Sequence, residues 1–180
     1  IYQLEVNAKP KKRIFVKNIS KGMVYICRRE TFNASHKLYN PNWSKEQNEA
    51  MFGVCANENW HGHNFELVVT VKGIPDFESG MVIDYKVLSK IIRREIIEKV
   101  HYKNLNLDVD FLQNKMPSCE ILIIEFWKKL APAIQAENPR AELHHLKLIE
   151  TKNNFVEYMG EGLELYQDLT LEDKVANTTT

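Results

Sequence analysis

The chain predicts an α+β domain, an antiparallel four-stranded sheet with two helices on one face. Three observations carry this. Residues 61–71 alternate, with His61, His63, Phe65, Leu67, Val69 and Val71 on one side and Asn64, Glu66, Val68 and Thr70 on the other. Two later stretches, residues 84–99 and 118–131, place their apolar residues at helical spacing instead. Strand patterns stand before and after this helical pair rather than alternating with it, which argues against a parallel α/β order.

Each element has a local reason. Residues 14–16 and 23–32 read as strands, the second rich in β-formers at Val24, Tyr25, Ile26 and Cys27 after the turn residue Gly22. Beyond it, Phe32, Ala34 and His36 keep to one face. Residues 39–59 are polar and Asn-rich, with a short helix predicted over 44–52, capped by Ser44 with Gln47 at the capping-box position. Gly73 and Pro75 end the strand that begins at His61. Asp84 caps a helix reaching Lys99, with Val87, Leu88, Ile91, Ile92 and Ile96 as its stripe. The second helix follows Pro117, with Ser118 as cap and Leu122, Ile123, Phe126, Trp127 and Leu130 as its face; Pro132 and Pro139 bracket its end. Residues 143–150 and 155–159 close the sheet across an Asn153–Asn154 turn. In that register Glu150 shares a face with His144, Leu146 and Leu148. Two helices cover one sheet face only, so the other face predicts an oligomer.

Composition narrows the function. The 180 residues carry 24 basic and 24 acidic side chains, so net charge suggests neither a nucleic-acid nor a membrane partner. No apolar run approaches the roughly 20 residues of a membrane span. The stretch around Glu5, Lys9 and Pro10 has no signal-peptide core. Cys27, Cys55 and Cys119 are scattered and odd in number, which fits a reducing, cytoplasmic setting better than a disulfide framework.

His61-Gly62-His63 puts two imidazoles on one side of a strand, because residues two apart point the same way. His36 lies on the inward face at the end of another strand. Three neutral imidazoles can hold Zn²⁺ and leave a fourth position open, the catalytic rather than the structural pattern. Packed or solvated histidines are the competing explanation. It is the preferred one for His144-His145, since neighbours in a regular strand point to opposite faces.

Several motifs together are recognisable. Phe32-Asn33-Ala34-Ser35-His36-Lys37-Leu38 and Cys55-x-x-Glu58-x-x-His61-Gly62-His63-Asn64-Phe65 resemble the 6-pyruvoyltetrahydropterin synthase family. So do Gly80-Met81-Val82-Ile83-Asp84-Tyr85, Lys103-Asn104-Leu105 and Ile149-Glu150-Thr151. The likeness ends near Glu161. It implies one domain over residues 1–161 with a C-terminal tail over 162–180. It also implies a tunnelling fold, whose trimeric barrels stack into a hexamer. Zinc on His36, His61 and His63, and 7,8-dihydroneopterin triphosphate as substrate, follow from the same resemblance.

The resemblance assigns further roles. Glu150 matches the pterin anchor, since a carboxylate can accept two adjacent N–H groups of the ring. Ser118 and Glu120 match further pterin contacts. Cys55 matches the base of the pyruvoyl-forming enzymes, where an Asp-His pair supports the thiol. Glu58 matches the base of a subtype that cleaves the side chain to 6-hydroxymethyl-7,8-dihydropterin for folate synthesis. The supporting pair is here His101-Tyr102, so the aspartate is missing, and His101 could serve only from one residue earlier. An unassisted thiol has a pKa of about 8.5. On this ground Glu58 is the expected base and side-chain cleavage the expected reaction. Pyruvoyl formation through Cys55 and a non-catalytic pterin or metal binder are the alternatives.

Overall fold

The computed structural model describes residues 22–166 together with 170 and 171. The strand expected over residues 14–16 lies outside them, as do residues 167–169 and 172–180 of the tail. Five strands form one sheet in the order β3-β1-β2-β4-β5. They are β1 (Val24–His36), β2 (His61–Gly73), β3 (Lys103–Asn104), β4 (Ala141–Ile149) and β5 (Phe155–Tyr158). All pairings are antiparallel except β1 with β3. The short β3 is the strand that the periodicity does not predict. It holds to β1 by pairing Lys103 with Ala34 and Asn104 with Ser35, and two residues are too few to show alternation.

β1 runs four residues past its predicted end because the Phe32, Ala34, His36 alternation continues to pair with β2, as far as His36 opposite His61. α1 (Lys45–Phe52) has the predicted cap: Ser44 Oγ accepts from the Gln47 N–H at 3.2 Å, and Gln47 Oε1 accepts from the Ser44 N–H at 2.8 Å. A 3₁₀ turn, Gly53–Ala56, follows. α2 (Tyr85–Ile92) starts at the Asp84 cap and passes through a π-helical stretch, Arg93–Ile97, into α3 (Glu98–Val100). α4 (Cys119–Glu137) starts at Ser118. It passes through Pro132, which by sequence brackets its end. Proline removes one helical N–H, but Leu130 and Ile134 on either side are fully buried and hold the helix to the core.

α2 and α4 pack on the inner sheet face. Phe32 stacks on Phe65 at 4.8 Å and meets Phe126 of α4 edge-on at 6.0 Å. Leu67, Val69, Leu88, Ile92, Leu122 and Leu146 fill the same layer. The outer face carries Arg29, Thr31, Asn64, Glu66, Lys147 and Glu157. The 3₁₀ turn Leu163–Tyr166 packs back on the domain, with Lys128 Nζ donating to the Tyr166 carbonyl. Among the described residues no helix is long and apolar enough to cross a membrane.

β4 corrects one detail of the predicted register. A bulge between the partners of Thr70 and Val71 pairs them with His145 and Leu143, leaving His144 extra. His144 therefore does not share a face with Glu150. Its ring lies 4.7 Å from the ring of the outward Tyr25, while His145 Nε2 lies 3.7 Å from Glu157. Both histidines face outward, and Leu146, Leu148 and Glu150 face inward.

Candidate metal and substrate site

His36 ends β1, and His61 and His63 open β2 directly beside it. Gly62 lets the strands close here, since a Cβ at that position would stand 3.1 Å from the Ala34 carbonyl oxygen. One nitrogen from each of the three rings lies within 4.8 Å of the others. His36 Nδ1 donates to the Pro117 carbonyl at 2.8 Å, which fixes the tautomer and leaves the Nε2 lone pair free. His36 Nε2 and His61 Nδ1 are buried without a hydrogen-bond partner. Burial pushes the pKa of His36 down; the Pro117 carbonyl and Glu150 oppose this, and the neighbouring rings reinforce it. Burial, then His63, pushes His61 down as well, against Glu150. Three clustered imidazoles, with unpartnered nitrogens at His36 and His61, are the donor set a divalent transition metal takes, so the residues fit such an ion.

Glu150 stands at the mouth of this cluster. Its Oε1 lies 3.5 Å from His36 Nε2 and 3.6 Å from His63 Nε2. With His36 it lines a cavity of about 360 Å³, which Cys55, Ser118, Cys119 and Glu120 also line. The Ser118 hydroxyl caps α4, accepting from the Ile121 N–H at 3.4 Å. Cys119 is the residue that sequence reasoning missed, although its place beside Ser118 at the helix start was a signal. Burial, then the adjacent Glu150 carboxylate to which it donates, pushes its thiol pKa far up. Cys119 therefore stays protonated.

Cys55 reaches the cavity because the Leu38 N–H donates to its carbonyl at 2.9 Å, tying the 3₁₀ turn to the chain leaving His36. The same turn and strand end wall off a second cavity of about 690 Å³, lined by Lys37, Tyr39, Ala56 and Glu58. Lys37 sits there over the Tyr39 and Trp60 rings, 4.9 and 4.6 Å from their centroids. Glu58, the base favoured by the sequence, is 78% exposed and bonded to Lys45 Nζ at 3.1 Å. The Lys45 ammonium holds its carboxyl below the ordinary range. Thus Cys55 shares a cavity with His36 and Glu150, and Glu58 lines the other one.

His101 is likewise not brought to Cys55 within the chain. Its Nδ1 accepts from the Asn33 N–H at 3.1 Å at the β1–β3 edge, so its acceptor nitrogen is already engaged. Tyr102 is 81% exposed and holds a left-handed φ of 57°.

Comparison with known proteins identifies the family. The family model for 6-pyruvoyl tetrahydropterin synthase matches residues 25–161. The 6-pyruvoyl tetrahydrobiopterin synthase of Homo sapiens is 38% identical over 136 residues, covering 76% of this chain and 91% of that protein. The one from Dictyostelium discoideum is 37% identical over 138 residues, covering 77% and 97%. Among solved structures, Caenorhabditis elegans 6-pyruvoyl tetrahydropterin synthase matches with a TM-score of 0.71 at 33% identity, over 77% of this chain and 96% of that one. Sequence and fold agree over the stretch that carries the histidines, Cys55 and Glu150: the chain belongs to the 6-pyruvoyl tetrahydropterin synthase family of lyases.

Proposed function

We propose that the chain is a zinc-dependent 6-pyruvoyltetrahydropterin synthase acting on 7,8-dihydroneopterin triphosphate, with Cys55 as base. The observation that supports this over side-chain cleavage is the shared lining of one cavity by Cys55, His36 and Glu150, away from Glu58. The relatives' names point the same way. His36, His61 and His63 would hold the zinc. Bound there, zinc supplies Lewis acidity toward the hydroxyl oxygens of the substrate side chain.

The residues divide the remaining work. Glu150 accepts the paired N–H groups of the pterin edge and fixes the ring, with Ser118 and Glu120 beside it. Cys55 takes a proton from the side-chain carbon next to the ring, and the ring receives the electron pair. A second deprotonation along the side chain expels the triphosphate as its C–O bond breaks. Proton transfers and elimination balance without an external oxidant, because the ring is reduced as the side chain is oxidised. Among the described residues one sheet face is left uncovered by helices and both sheet edges are unpaired, which supports the trimeric barrel and hexamer expected of the family.

Product analysis tests the reading. The purified protein, loaded with zinc and given 7,8-dihydroneopterin triphosphate, should yield the 6-pyruvoyl product and inorganic triphosphate. Cys55→Ala should slow this by about 10²–10⁴-fold, the usual contribution of a general base, while Glu58→Gln leaves it within a few-fold. A 6-hydroxymethyl product that survives Cys55→Ala and disappears in Glu58→Gln would return the base role to Glu58.

A further inference from the structure

We propose that Glu150 is a displaceable fourth metal ligand, closing the histidine site until a pterin ring draws the carboxylate away. The displacement rests on the role of Glu150 as pterin anchor; the ligation does not.

The geometry of the carboxylate carries the idea. Glu150 Oε1 lies 3.5 Å from His36 Nε2 and 3.6 Å from His63 Nε2. Both separations exceed an ordinary hydrogen bond. In the neutral ring the proton sits on Nδ1, facing Pro117, so Nε2 has no hydrogen to donate to the carboxylate. A lone pair there faces a carboxylate oxygen, an arrangement that repels unless a cation lies between them. Metal bonds of about 2.0–2.1 Å at tetrahedral angles set neighbouring ligand atoms about 3.3–3.4 Å apart. The observed separations come within a few tenths of an ångström of that edge.

Charge leads to the same place. Three neutral imidazoles leave a divalent ion's full charge at a site where His36 is only 2% exposed. A carboxylate against the ion offsets that desolvation cost. The backbone lets the side chain serve two positions: the Glu150 and Thr151 N–H groups both donate to the Asn154 carbonyl, at 3.0 and 3.3 Å. The main chain is pinned while the side chain can turn from the metal to a ring.

Cobalt(II) in place of zinc makes the coordination visible. Wild type, Glu150→Gln and Glu150→Asp would be loaded with cobalt and their visible d–d bands and metal affinities compared. Both variants should shift the bands and weaken binding by about 10-fold or more. Glu150→Asp keeps the charge but shortens the reach, so it separates ligation from simple attraction. Pterin with no side chain, which has no hydroxyls to offer the metal, should then move the wild-type spectrum toward that of Glu150→Gln and leave the variant unchanged. Identical bands and affinities in wild type and Glu150→Gln would overturn the ligation. A wild-type spectrum indifferent to saturating pterin would overturn the displacement. Neither result depends on turnover, so failure to form the pyruvoyl product would count against the proposed reaction alone.

Discussion

Glu30 is nearly buried on the inner face of β1, yet it stays charged. Burial alone would raise its carboxyl pKa, but Ser89 Oγ donates to it at 2.6 Å, Arg28 at 2.8 Å and Arg93 at 3.2 Å, and together they hold the pKa below the ordinary 4.5. A carboxylate with a depressed folded pKa stabilises fully above its unfolded pKa, and that stability is lost as pH falls through the folded value. Glu30→Gln should therefore cost about 1.5–3 kcal/mol near neutrality, the range for hydrogen bonds to a charged group. The gap to wild type should close below about pH 4. Denaturant titrations from pH 3 to 7 check this; a gap independent of pH would show that the charge at Glu30 is not what stabilises. Only Arg28, two residues back on the same face of β1, is legible in sequence as a partner of Glu30; Ser89 and Arg93 come from α2 and the π-helical stretch beyond. The histidines are legible because strand alternation alone puts His61 and His63 on one side. The choice between Cys55 and Glu58 is not, since the two lie three positions apart on a loop, where neither helical nor strand periodicity says which way each side chain points.

Among the elements, α4 and β5 meet at a contact that leaves no room for a side chain. Gly160, just past β5, has a φ of 90°, and a Cβ there would stand 2.5 Å from Cζ2 of Trp127. Trp127 is itself held edge-on against Tyr158 at 5.2 Å. Gly160→Ala adds a left-handed backbone penalty to a steric clash and should destabilise by about 2–4 kcal/mol. Thermal melts with an unchanged midpoint would contradict that packing. The main elements follow from period and caps: Ser44, Asp84 and Ser118 each begin a helix where their side chains predict. Pro132 misleads because propensity is local, whereas its helix is held by the burial of Leu130 and Ile134. The π-helical stretch Arg93–Ile97 escapes notice because it keeps Ile96 and Ile97 buried with an apolar pattern that also suits an α-helix.

At the scale of the molecule, the sheet face that no described helix covers is the main unfinished business of the fold. The inner face is largely apolar, whereas the outer face mixes ions with the buried Thr70 and the half-buried His145. In solution the native mass should be about six times the 21.1 kDa chain, read by sedimentation at micromolar concentration. A monomer there would remove the support for a barrel. The bulge at His144 has a further bearing on how such chains can diverge. Sidedness in a strand is a matter of odd and even, and this one extra residue sets the parity for everything after it. Adding or deleting a single residue between Leu143 and Glu150 would turn the carboxylate through the sheet, from the histidines to the opposite surface. The outward positions of this stretch can therefore absorb changes of side chain, but its length can change only in twos, and a lineage that loses the bulge must regain the count elsewhere or give up the site.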